Sequence, residues 1–337
     1  MLACLYQRHL KLRPPMKRSF YILITITLCL SRTRTAGAQE CSIVDLMPPF
    51  WHAVDNSHDT PDQTLHLLHR DLIAPNGDLY SATGVGFSSE EKLNAAILKT
   101  IAATRTHPAA IHSTLLLLQQ QLPDYIRDFK RAFPDFQCNF TIYLLPAFGA
   151  LDGAGRVVNG APALLLGIDN IAAEQFSSET LRIFIDHELF HRYHSQVAGF
   201  SDDNAQRETL WRALWAEGLA TYTSQALNPP ASMQDALMFP RDLVQRSQPQ
   251  LSALIAQLIP QLDEVNPKLF ATFFSYHKDD GGVPPRSGYY IGSLTAQRLA
   301  QQNSLFGLAH MQAPEVRTKL KQALSDIQQE NLSHTVR

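Results

Sequence analysis

The stretch 177–198, SSETLRIFIDHELFHRYHSQVA, reads as a long helix enclosed on nearly all sides. Ser177, Ser178 and Glu179 supply its start: a serine oxygen accepts a first-turn N–H, and an acidic side chain suits the positive end of the helix dipole. Leu181, Ile183, Phe184, Ile185, Leu189 and Phe190 then fall around the whole circumference instead of along one stripe, which predicts burial. His187, Glu188 and His191 lie inside this apolar run. Residues i and i+4 of a helix share a face, so both imidazoles can reach one ion, with Glu188 beside it and not on it. By composition this His-Glu-x-x-His pattern would arise about 0.016 times in such a chain. Two imidazoles and a carboxylate are costly to bury unless a cation compensates them.

A catalytic zinc ion commonly takes three protein ligands and keeps one open position. The class with a third His ten residues after the first is excluded, because Val197 stands there and His194 stands where its Gly would be. Glu217 is the better third ligand. It sits in LWAEGLATY, on a second helix expected over roughly 207–227 and stopped by Pro229-Pro230. Leu210, Leu214 and Thr221 share its stripe, and Trp211, Trp215 and Tyr222 flank it, so its carboxylate also needs a cation. The polar break from Gly199 to Gln206 gives the chain room to turn back. Glu208, Asp202 and Asp203 are rival ligands nearer that break. Asp186 faces away from the ion side, and His194 reads as a partly exposed residue near the helix end.

Upstream, residues 88–132 read as helical, with a new helix at His107-Pro108 and punctuation at Pro123 and Pro134. FTIYLLP (Phe140–Pro146) and ALLLGI (Ala163–Ile168) read as strands, with the Gly-rich stretch 149–160 as the turn or hairpin loop between them. Downstream, the chain is again mostly helical to about 330, apart from the loop KDDGGVPPRSG at 278–288. The expectation is an α+β fold, mostly helical, with a small sheet preceding the His-Glu helix and two lobes flanking a cleft. Its parts would be a helical region over 39–136, a core over 137–230 and a helical region over 231–337.

The 337 residues, 45% hydrophobic and 18% charged, form a globular composition large enough to bury a core without covalent staples. A net charge of -2 excludes the basic surface of a general nucleic-acid binder. At the N-terminus, Lys17 and Arg18 precede the apolar run Phe20–Leu30, and Ala36-Gly37-Ala38 follows as a cleavage triplet. That run covers roughly 16 Å as a helix, too short to span a bilayer. Residues 1–38 are therefore expected to be a cleaved export signal, with Met16 as a plausible true start. Arg32 and Arg34 leave an uncleaved anchor or a cytosolic chain as the alternatives. An exported, periplasmic or secreted chain with no stable membrane span would follow. It would keep Cys41 and Cys138, either as one disulfide or as two buried thiols. The histidines His52, His58, His66 and His69 read as solvated surface.

HELFH at 187–191 followed by WAEGLATY at 215–222 resembles the gluzincin superfamily of zinc metallopeptidases. A closer likeness is to uncharacterised bacterial predicted zinc-dependent proteases, which share an xEGxA helix and a later Gly-Tyr-rich helix start. The resemblance implies Zn2+ held by His187, His191 and Glu217, Glu188 as general base, and a peptide or protein substrate. Thr221 stands where the thermolysin-like branch carries an Asp. The resemblance also implies that the strand Ala163–Ile168 pairs with extended substrate through Leu165, Leu166 and Gly167. RSGYYIGS at 286–293 offers Tyr289, Tyr290 and Arg286, with His277 upstream, as groups to stabilise an oxyanion or to bind substrate. The equal alternative is a Tyr pair that only packs a helix start against the core. A zinc-binding peptide-binding or chaperone-like protein without turnover is the second functional reading. A helical protein with an accidental motif is the third.

Overall fold

The computed structural model describes residues 41–57, 60–200, 208–276 and 282–335. The expected leader, His58, Asp202, Asp203 and His277 lie outside the described residues. The chain is 66% helical with one four-stranded sheet, hence α+β and mostly helical. Gln39–Arg337 is one compact unit with a core running from Met47 to Ile327. Among the described residues no helix is long and apolar enough to cross a membrane.

The sheet has the order β1 (Ser42–Asp45), β2 (Thr141–Leu145), β4 (Ala161–Gly167), β3 (Gly153–Val158). β1 and β2 are parallel, with Ser42 opposite Thr141, and β2 and β4 are parallel, with Ile142 opposite Leu164. The two strands read from sequence are thus parallel neighbours and not a hairpin. A third strand, β3, and its turn lie inside the stretch expected to be a loop, and β3 forms a hairpin with β4, antiparallel with Gly153 opposite Leu166. Its turn is Asn159-Gly160, with φ of 50° and 76°. Positive φ at both central residues makes a tight turn whose twist suits the flanking strands.

Between β1 and β2 come α1 (Met47–Asn56), α2 (Pro61–Leu68), α3 (Glu90–Thr106) and α4 (Pro108–Ala132). Pro123 does not break α4. The carbonyl that loses its partner belongs to exposed Gln119, where water can replace the bond. After β4 come α5 (Ile168–Ala173) and α6 (Ser178–Ala198), then α7 (Leu210–Leu227), α8 (Met233–Leu237) and α9 (Leu243–Ser247). The remainder holds α10 (Leu251–Leu258), α11 (Pro267–Phe274), α12 (Ser287–Ala300), α13 (Leu305–Ala309) and α14 (Ala313–Thr335).

Helix α6 begins where its sequence says it should, with the Ser177 side chain accepting from Thr180 N at 3.2 Å. Gly199, at φ 69°, closes it in the left-handed conformation that glycine adopts at least cost. The start of α7 is capped from afar: Leu210 N and Trp211 N donate to the carbonyls of Glu264 (3.1 Å) and Leu262 (2.9 Å). α7 and α12 then cross with their backbones in contact at Gly218 and Gly292. A Cβ on either residue would penetrate the backbone of the other helix.

Cys41 and Cys138 are joined in a disulfide, with Cα atoms 5.0 Å apart, beside the paired starts of β1 and β2. Of the two alternatives for these thiols, the bridge is the one that forms. It closes a loop of 97 residues, for which chain entropy gives about 4–5 kcal/mol of stabilisation. Cys138→Ser is therefore expected to lower unfolding stability by about 2–5 kcal/mol. Urea denaturation measures this, and an unchanged midpoint would refute the structural role of the bridge.

Candidate metal centre

Helix α6 is buried on nearly every face, as its sequence predicts, and His187, Glu188 and His191 are buried with it. Glu217 reaches the same point from α7. His187 Nε2 and His191 Nε2 are 3.0 Å apart, and Glu217 Oε2 lies 3.5 Å and 3.4 Å from them. Donors placed about 2.0–2.1 Å from a tetrahedral ion sit about 3.3–3.4 Å from one another. The triangle therefore has close to the dimensions that one small ion requires. Among the described residues this is the group of three that could hold a metal ion.

The charge states suit the same conclusion. Burial pushes the His187 imidazole below its ordinary range, against the opposing pull of Glu217. Burial pushes the Glu217 carboxyl up, but His191 and His187 outweigh it and hold it below the usual carboxylate range. Two imidazole nitrogens and one carboxylate oxygen, withdrawn from water, form a donor set that a divalent cation compensates. Among the described residues the buried His187 Nδ1 has no hydrogen-bond partner. Asp186 does not provide one: its Oδ2 accepts from Asn228 Nδ2 at 2.7 Å and lies 3.9 Å from Arg182 Nε.

The three donors open onto a cavity of about 100 Å³, also lined by Asp152, Gly153, Phe184, Glu188, Met238, Phe239, Arg286 and Tyr289. Gly153 lies against Glu188 so closely that a Cβ would stand 2.7 Å from Glu188 Oε1. The Tyr289 ring is stacked near His187, with centroids 6.3 Å apart. Burial raises its phenol well above the usual range, reinforced by the charge of Glu217, so the hydroxyl stays a donor at neutral pH. Comparison with family models, curated proteins and solved structures finds no match.

Several sequence expectations need correction against this geometry. β4 is an inner strand, paired on one side with β2 and on the other with β3, and Leu165 and Leu166 are fully buried. Gly167 N donates to Asp152 O at 2.8 Å. Leu165, Leu166 and Gly167 therefore have no edge to offer a substrate; the sheet's edges are β1 and β3, and β3 is the one beside β4. Tyr290 is buried away from the cavity, so of the Tyr pair one member faces the site and the other packs the core. His194 is not partly exposed. It is fully buried, stacked on Phe200 with centroids 4.6 Å apart, and burial holds it neutral. Glu208 pairs with Arg212 at 2.9 Å, away from the ion site.

Asp152, Gly153, Met238 and Phe239 are not marked as site residues by the sequence, and Phe184 is read there only as part of the apolar surface of α6. The Asn159-Gly160 turn could have revealed β3 and, through it, Gly153. Nothing in the local pattern marks Phe239. Glu217→Gln is expected to reduce bound metal to well below one equivalent by elemental analysis. Chelation of the intact protein should lower Tm by about 4 °C, the effect of removing a ligand present at ~100 times its Kd from a unit of this size. Full metal content in the variant would remove Glu217 from the ligand set.

Proposed function

We propose that this chain is a zinc-dependent metallopeptidase of gluzincin type, exported to an oxidising compartment, that cleaves peptide bonds with Glu188 as general base. The observation that carries the proposal is the meeting of His187, His191 and Glu217 in one cavity with Glu188 and Tyr289. Two imidazoles and a carboxylate are a donor set that zinc favours. When bound there, zinc would supply Lewis acidity and lower the pKa of a nearby water.

The remaining work belongs to the protein. Glu188, adjacent in sequence to a ligand but outside the donor triangle, accepts the proton of the attacking water and passes it to the leaving amine. The Tyr289 hydroxyl, kept protonated by burial, donates to the oxygen that gains charge as the carbonyl becomes tetrahedral. Phe184, Met238 and Phe239 exclude water from the space beside these groups. Substrate backbone lies along the start of β3 at Gly153, the strand end that lines the cavity, instead of along β4. The Cys41–Cys138 disulfide supports an oxidising compartment.

Glu188→Gln should keep its zinc and lose about 10²–10⁴-fold in turnover of a mixed peptide pool. Chelator-sensitive cleavage by wild type, absent from the variant, is the expected pattern. Zinc binding without cleavage in wild type would favour the non-catalytic peptide-binding reading. Gly153→Ala places a methyl group where the Glu188 carboxylate now sits. Its turnover should fall at least about tenfold while zinc content stays at the wild-type level. Unchanged turnover in that variant would show that Glu188 works from another position.

A further inference from the structure

Arg286 is the cation among the described residues lining the cavity, and its setting is unusual. It caps α12 from the left-handed region, at φ 63° and ψ 15°, without being glycine. Its guanidinium lies over the Tyr289 ring at 4.1 Å and over the Phe239 ring at 4.4 Å. It makes no hydrogen bond or ion pair among the described residues, and its Nε is buried without a partner. Glu174 feels its charge only at a distance, and Asp152 Oδ1 accepts from its neighbour Gly153 N at 2.8 Å. Stacking engages the faces of a guanidinium and leaves the N–H groups in its plane, the fork that matches a carboxylate.

The clamp is built at a cost in backbone conformation. Phe239, one of its two rings, follows Met238, which sits at φ 60° and ψ -66° in a tight turn closed by Phe239 N donating to Leu237 O at 2.7 Å. Two non-glycine residues in sparsely populated backbone conformations, Met238 and Arg286, therefore line the same small cavity. Such strain persists where the surrounding structure holds a side chain for a purpose.

The shape of the site restricts what that purpose can be. The cavity, about 100 Å³, is far smaller than the several hundred that enclose a drug-sized ligand. The outer edge of β3 is open for only a short distance. Gly155 O accepts from Arg156 Nη1 at 2.6 Å, and Arg156 Nε donates to Gly84 O at 2.9 Å. Asn159 N donates to Asp78 Oδ2 at 3.1 Å, so the loop 78–84 lies along the rest of the strand. A polypeptide in mid-chain has little strand to follow and little room to leave, whereas a chain end needs neither.

We propose that Arg286 receives the terminal carboxylate of a short peptide, so that the site acts on the C-terminal end of its substrate and not within a chain. The inference deepens the metallopeptidase reading and rests on it for the chemistry, but binding tests it separately.

The test uses the full chain loaded with zinc and carrying Glu188→Gln, so that bound peptide survives. Calorimetry compares the tripeptide Ala-Ala-Leu as free acid, the same peptide as its C-terminal amide, and Ala-Ala-Asp as amide. The free acid should bind about 10- to 100-fold more tightly than either amide, the range of a charge-assisted contact. Arg286→Met should erase that preference, and Arg286→Lys should retain part of it, with metal content and Tm confirming that both variants fold. Equal binding of acid and amide, a preference that survives Arg286→Met, or no binding up to millimolar peptide overturns the proposal. Binding of the Asp amide as tightly as the acid overturns it too, by assigning the anion to a side chain. With Glu188 intact, cleavage without acid preference leaves the peptidase reading standing and this one fallen. Acid preference without cleavage does the reverse.

Discussion

The structure depends on one buried electrostatic contact, the Glu217 carboxylate set between the His187 and His191 imidazoles where α6 meets α7. A carboxylate so thoroughly withdrawn from water is tolerable only with compensating charge or hydrogen bonds, and its surroundings are arranged to keep it there. Gly218, the next residue, lets α12 approach to backbone contact, and that approach brings Tyr289 to the same cavity from one turn before Gly292. The Glu-Gly pair in WAEGLATY thus does two jobs: the first residue supplies the donor, and the second supplies the space that lets the opposite wall close.

The sheet serves the same centre from the other side. Its strand β4 is apolar and buried and contributes nothing to the cavity directly. Its role is to hold β3, whose first residue presses on Glu188. Asp169, just after β4, accepts the N–H groups of Ala147 (2.6 Å) and Gly149 (2.9 Å) and so fixes the chain that leaves β2. Burial raises that carboxyl despite these bonds, which marks how far the loop has been drawn into the interior.

Much of this was legible in the sequence, and the parts that were not have physical reasons. The all-round apolar pattern of 177–198 specified a buried helix. The spacing of His187 and His191 specified a shared face, because helical periodicity is a local property. Glu217 could be read because a carboxylate among Leu, Trp and Thr demands compensation wherever the chain goes. Strand order could not be read: β4 looks the same from sequence whether it lies inside the sheet or at its edge, since only the neighbours decide. The Gly-rich stretch 149–160 looked like a loop because glycines weaken strand propensity, yet Gly153 is needed in the strand for close approach to Glu188. Pro123 looked like a break because the rule concerns a lost hydrogen bond, and solvent at Gln119 replaces it. Tyr289 and Tyr290, adjacent and chemically alike, were separable only once the orientation of α12 was known.

Backbone contact between α7 and α12 carries a mechanical corollary. Two helices that touch at glycines have no side-chain cushion to shear through, so Glu217 and Tyr289, which line the same cavity from the two helices, are set relative to one another by backbone contact.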